Sequence, residues 1–131
     1  MKLTSLRMIS KDIKATVAFY EQILGITATW YTEDFAELST DSITIAVGSI
    51  RTMKMFSEGL TDFAGTKSTI IEFLVKNVDE EYERIKSIAS EIIQEPTTML
   101  WGNRSLLFCD PDGNMINFFT PVSEEAMKKF S

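Results

Sequence analysis

Histidine is absent from all 131 residues. The chain therefore lacks the side chain most often used as a metal ligand, and as a general acid or base near neutral pH. The residues left to do chemistry are of other kinds. Cys109 is the single thiol and stands beside Asp110; nothing in that setting lowers a thiol pKa, so it reads as a buried structural cysteine rather than a nucleophile. Trp30 and Trp101 can present broad π-faces to a flat ligand, or pack in a core or a dimer interface. Tyr31 and Phe35 extend the aromatic supply next to the first of them. Met53, Met55, Phe56 and Phe63 can form a pliable lid or contacts with a partner subunit. These types favour binding through apolar area over proton transfer.

The elements that must position these residues follow from periodicity. Leu3 to Ile9 reads as a strand. Asp12 or Ser10 caps a helix in which Ile13, Val17, Tyr20, Ile23 and Leu24 recur at helical spacing, and Gly25 closes it. Strand-like runs follow at Ile26 to Tyr31, Phe35 to Ser39 and Ser42 to Val47, with a tight turn at Thr40-Asp41. Ser49 to Lys67 reads as a crossing segment plus loop. The order then repeats. Ser68 to Val75 is a strand, Asn77 a cap, and Val78, Tyr82, Ile85 and Ile88 a helical stripe. Asp79-Glu80-Glu81 is a solvated helix start that suits the macrodipole. Glu91 to Gln94 is a short strand broken at Pro96, and Ser105 to Cys109 another. Asp110-Pro111-Asp112-Gly113 is a turn, Met115 to Thr120 the returning strand, and Ser123 to Phe130 a short terminal helix.

This is an internal duplication. Asp12-Ile13 matches Asn77-Val78 at an offset of 65, and Asp41-Ser42 matches Asp112-Gly113 at an offset of 71. The difference is an insertion around Thr97 to Gly102. The expected architecture is α+β, with two βαβββ modules at about 1–57 and 66–121 in one domain of residues 1–121, followed by a helix over 122–131. Arg7 and Glu72 are symmetry mates under the first offset.

Composition bounds the function. A net charge of −6, with Lys and Arg dispersed, disfavours nucleic acid and anionic membrane surfaces. A single cysteine and the absence of an apolar leader suit a reducing cytoplasm. No apolar stretch approaches the length of a membrane span.

Lys11-Asp12-Ile13 followed by Val17-Ala18-Phe19-Tyr20-Glu21-Gln22-Ile23-Leu24-Gly25, together with Leu107-Phe108-Cys109-Asp110-Pro111-Asp112-Gly113-Asn114-Met115-Ile116, resembles the vicinal oxygen chelate superfamily of glyoxalases, extradiol dioxygenases and bleomycin-resistance proteins. The likeness runs over about residues 1–121. It implies a cupped mixed sheet with helices on its outer face and a site in the cup. Metalloenzymes of that family would place ligands at Ser5, Ala46, Ile70 and Asn117. Ala and Ile carry no donor, and Ser and Asn are weak neutral ones, so the resemblance implies no metal and no other cofactor here. It is similar instead to the metal-free, bleomycin-resistance-like branch, in which a flat ligand lies in aromatic grooves usually shared by two subunits. Trp101-Gly102 is similar to a Trp-Gly of that branch. The site residues so implied are Ser5, Arg7, Trp30, Phe35, Glu72, Trp101 and Asn117. Arg7 and Glu72 face the cup as ligand anchors or as a mutual ion pair; Ser5 and Asn117 orient a ligand or are satisfied by water. The expected function is metal-independent sequestration of a small apolar or aromatic compound by a homodimer. The alternatives are an enzyme of the same fold with an atypical site, and a structural dimer without a ligand.

Overall fold

A computed structural model describes residues 1–53 and 69–131. The chain divides into two compact units, residues 1–66 and 67–131. In the first, β1 (Ser5–Ser10), α1 (Ile13–Leu24), β2 (Thr29–Thr32), β3 (Phe35–Ser39) and β4 (Thr44–Ser49) lead into a single helical turn, α2 (Ile50–Met53). In the second, β5 (Ile70–Leu74), α3 (Val78–Ile85), β6 (Glu91–Thr98), β7 (Asn103–Cys109) and β8 (Met115–Pro121) precede α4 (Glu124–Lys129). Each unit holds one four-stranded mixed sheet, ordered β1-β4-β3-β2 and β5-β8-β7-β6. The first strand of each unit pairs parallel with its last, and the other pairs are antiparallel. The α+β class and the duplicated βαβββ order are those expected. Of the four bulky residues read between the modules, Met53 ends α2; Met55, Phe56 and Phe63 lie outside the described residues.

Both helices form where cap and apolar stripe coincide. The Asp12 carboxylate accepts a hydrogen bond from the Ala15 amide, and Gly25, at φ +67°, ends α1 by donating its N–H to the Glu21 carbonyl. The buried stripe of Ile13, Val17, Tyr20 and Ile23 lies against one face of the first sheet. Tyr20 reaches Met8 Sδ at 3.4 Å, and Ser10 Oγ donates to Thr16 Oγ1 at 2.9 Å. Each fully buried side chain of this kind contributes roughly 1.5–3 kcal/mol. In the second unit Asn77 caps α3 through the amides of Asp79 and Glu80. Arg104 grips the Asp79 carboxylate, and Thr120 Oγ1 accepts from the Val78 amide. The sheet face turned to α3 carries Leu106, Phe108, Ile116 and Phe118, with Phe108 and Phe118 edge to face at 5.1 Å.

Two expectations need correction. The second helix stops at Ile85, and Ile88 lies in the turn after it, its amide bonded to the Ile85 carbonyl. β6 runs on through Pro96 to Thr98. Proline is tolerated there because β6 is an edge strand and its register with β7 slips between Gln94 and Thr97. The inserted residues thus lengthen the β6–β7 hairpin. Cys109 is buried, as read. Among the described residues no helix is long and apolar enough to cross a membrane.

Gly102 joins that hairpin to α4. Its carbonyl accepts from the amides of Val122 and Ser123, its φ is +94°, and a Cβ there would fall 1.9 Å from Ser123 Oγ. A Cβ at Gly25 would meet nothing within 4 Å. Gly25→Ala is therefore expected to cost about 1 kcal/mol, from backbone strain alone. Gly102→Ala should cost about 2–4 kcal/mol, because overpacking adds to the strain. Urea unfolding of both variants checks this, and equal losses would contradict it.

Candidate functional site

Residues paired across neighbouring strands share a face of the sheet. In the first unit Arg7, Ala46, Glu37 and Thr29 form one such row, and Ile9, Gly48 and Phe35 another. Both rows lie on the face opposite α1, since Met8 and Ser10, which touch the helix, alternate with them. On this face the central strand β4 presents Thr44, Ala46 and Gly48, the last two with little or no side chain. The Arg7 side chain crosses this trough, and its guanidinium carbon stands 4.7 Å from the Phe35 ring centroid, within cation–π range. Gly48 is needed for its size: a Cβ there would come to 2.8 Å of Thr52 Oγ1, so glycine lets α2 settle beside the trough.

Arg7 and Phe35 line a cleft of about 640 Å³ together with Thr32, Glu33, Asp34, Arg51 and Thr52. That is the size of a small-molecule site. Its lip is ordered by Asp34, whose Oδ1 accepts from Ser49 Oγ at 2.7 Å and from Arg51 Nε at 2.8 Å. Those bonds, Arg51 first and Ser49 second, hold the Asp34 carboxyl below the usual carboxylate range. On the neighbouring strand Glu37 raises the Tyr31 phenol, by hydrogen bond first and by its charge second. Tyr31 also meets Phe35, with ring centroids 6.1 Å apart. The arrangement offers one aromatic face, that of Phe35, edged by charged and hydroxyl side chains.

In the second unit the equivalent row is Glu72, Asn117 and Leu107. Asn117 Nδ2 donates to Glu72 Oε2 at 2.8 Å. On the same face Phe119 meets Phe130, which follows α4, edge to face with ring centroids 5.0 Å apart.

The structure thus joins Arg7 with Phe35, and Glu72 with Asn117. Ser5 opens β1, exposed and opposite Thr44. Trp30 pairs with the buried Ala36, so it stands on the α1 side of the sheet, turned away from Phe35 and 41% exposed. A bulge between Trp30 and Thr32 produces this, because an extra residue reverses which side chains share a face. Trp101 sits in the β6–β7 turn, 65% exposed. Asp34, Arg51, Thr52 and Glu37 were not singled out from the sequence. Strand alternation could have placed Glu37 beside Ala46; the reach from Asp34 to Arg51 left no local signal.

The donor chemistry does not fit a transition metal. The register sets Ala46 opposite Arg7 and Ile70 opposite Met115, so two of the four positions carry no donor. The amide of Asn117 is already engaged by Glu72. Among the described residues no three His, Cys, Asp or Glu side chains gather as a ligand set.

A family model described as the Glyoxalase/Bleomycin resistance protein/Dioxygenase superfamily matches residues 2–118. A bleomycin resistance protein of Geobacillus stearothermophilus is 32% identical over 124 residues, covering 85% of this chain and 90% of that one. The fosfomycin resistance protein FosX of Listeria innocua is 26% identical over 129 residues, covering 98% and 96%. A crystal structure of a glyoxalase/bleomycin resistance protein/dioxygenase family enzyme from Burkholderia phytofirmans superposes with a TM-score of 0.82 at 18% identity, covering 93% of this chain and all of that one. At that identity the superposition speaks for the fold alone.

The lip of the cleft makes a titration prediction. Folding lowers the Asp34 pKa, so the contribution to stability is in place above the ordinary value of about 4 and is lost as pH falls through the lower, folded value. In Arg51→Met the Asp34 carboxyl should titrate closer to about 4 than in the parent, and the stability difference between the two proteins should close in acid. Carboxyl NMR titration and acid unfolding check both. Coincident Asp34 curves would remove Arg51 as the cause.

Proposed function

This chain belongs to the glyoxalase/bleomycin resistance protein/dioxygenase superfamily, and from that premise we propose that it binds and sequesters a small, flat, apolar or aromatic compound without a metal, as an antibiotic-resistance protein. The observation that carries the reading is the Arg7 guanidinium held over the Phe35 ring in a cleft of about 640 Å³. A site without a metal must draw affinity from apolar area and a few placed polar groups. The Phe35 ring and the planar guanidinium of Arg7 supply both at low entropic cost. The exposed ring of Trp101 is a further stacking surface. The likeness to bleomycin resistance proteins makes bleomycin the compound to try first.

A second reading rests on the likeness to a fosfomycin resistance protein over nearly the whole chain. In it the protein is an enzyme of this fold that alters a small antibiotic. Incubation with fosfomycin, with and without added divalent metal, separates the two. Intact fosfomycin recovered in every case goes with sequestration; its conversion goes with the enzyme.

Calorimetric titration with bleomycin tests the leading reading. Phe35→Ala and Trp101→Ala should each weaken binding by more than about 1 kcal/mol, the usual mark of an important contact, with the near-ultraviolet circular dichroism of a folded protein retained. Parent-like affinity in both variants would sink the reading. The reading also has the protein act as a homodimer, so sedimentation velocity should return twice the chain's mass of 14.8 kDa.

A further inference from the structure

The second unit has a cleft of its own, of about 380 Å³, where the ends of β5 and β8 meet α4. Its origin lies in how α4 covers the sheet. Leu74 and Phe119 are cross-strand neighbours and share a face. Phe130 packs on Phe119, which is 6% exposed, but the cover stops there: Leu74, on the edge strand β5, is 54% exposed. Met127 and Phe130, also exposed, complete the apolar floor. Scattered exposed apolar side chains need no explanation, whereas several gathered in one concavity of ligand size mark a place of binding.

Two polar side chains, Thr120 and Lys76, line this cleft. Thr120 Oγ1 is taken up: it donates to the Val75 carbonyl at 2.9 Å and accepts from the Val78 amide at 3.0 Å. The Lys76 ammonium is exposed and has no carboxylate within ion-pair distance among the described residues. A second ammonium stands close by, with Lys129 Nζ 5.3 Å from the centroid of the Phe130 ring. No acidic side chain lines the cleft, although the chain as a whole carries a net charge of −6. An apolar floor beside unneutralised positive charge is complementary to an apolar body bearing an anion. A second copy of the chain is a poor occupant, because a two-fold contact through this patch would bring the same ammonium groups together.

We propose that this cleft is a binding site for a small amphiphile, a carboxylate on an apolar body. The body lies on Leu74, Met127 and Phe130, and the carboxylate accepts from Lys76 Nζ. The flexible stem of the lysine lets the ammonium follow the head group, and the adaptable thioether of Met127 accommodates bodies of differing outline. Selection therefore rests on the sign of the charge and on apolar area, and little on exact shape. A cationic head is repelled, and a neutral one gains the apolar area without the charge-assisted bond. The site uses residues of the second unit alone and stands whether or not bleomycin binds at Phe35.

Octanoate, kept below its micelle concentration, is the probe, with octanol and octylammonium as controls of the same chain. In methyl NMR of the full chain at low salt, octanoate should shift the Met127 and Leu74 methyl signals saturably, and octylammonium should bind more weakly than either of the others. Lys76→Met keeps an apolar stem and removes the charge. It should weaken octanoate about three- to fivefold, the range of an exposed ion pair, and leave octanol unchanged. Met127→Ala should weaken octanoate and octanol alike, about fivefold, through lost apolar area. Both positions are exposed, so neither change strains the core. Three outcomes overturn the proposal. One is the absence of a saturable shift with octanoate. Another is an octanoate affinity that Lys76→Met leaves unchanged. The third is a halved mass of Met127→Glu in sedimentation velocity, which would make the patch a contact between two copies of the chain.

Discussion

In each unit the first strand lies parallel to the last, and the faces taken by the side chains of those strands depend on that pairing. Parallel strands cannot be joined by a tight turn, so the chain must travel through a helix and two further strands before the pair can close. Once closed, it sets Arg7 beside Ala46 and Glu72 beside Asn117. A slip of one residue would send each of these to the opposite face. The slip is prevented by the helix-side core: Met8, Val47 and Leu38 are buried in the first unit, and Ile116, Phe118 and Leu106 in the second. Moving any of them to the open face would expose apolar area worth several kcal/mol in sum.

The same frame, used twice, carries opposite chemistry. Under the offsets of the duplication, Arg7 corresponds to Glu72 and Ala46 to Asn117. The first unit therefore has a cationic edge over a central strand of small residues, and the second has a carboxylate tied to an amide. In the first, small residues leave space and an aromatic ring fills one wall. In the second, polar atoms stand in place of space. The two halves have diverged where their side chains face away from the helices, and have kept their character where they face them. Packing tolerates few changes of volume or polarity, whereas an open face answers to whatever it meets.

The charged groups at the edges act locally. Asp34 ties β3's approach to α2 through Ser49 and Arg51, and Asp79 ties the start of α3 to β7 through Arg104. Each pair has one largely exposed member, so its energetic weight is small. Their use is geometric. One shapes the lip of the cleft; the other sets where α3 begins.

The sequence by itself determined the fold class, the duplication and the caps at Asp12, Asn77 and Ser123. These are legible because they depend on local periodicity and on capping chemistry. Tertiary structure decided the rest. Trp30 read as a partner for Phe35, yet the bulge in β2 turns it to the helix side. Pro96 read as a strand end, yet an edge position with slipped register accommodates it. Arg7 and Glu72 read as ligand anchors or as a mutual ion pair, and within its own unit each has a neighbour that the spacing did not name: Phe35 for Arg7 and Asn117 for Glu72. In each case the deciding quantity is a register between segments distant in sequence. It is set by side-chain packing across strands and leaves no mark in the spacing of residues along any one of them.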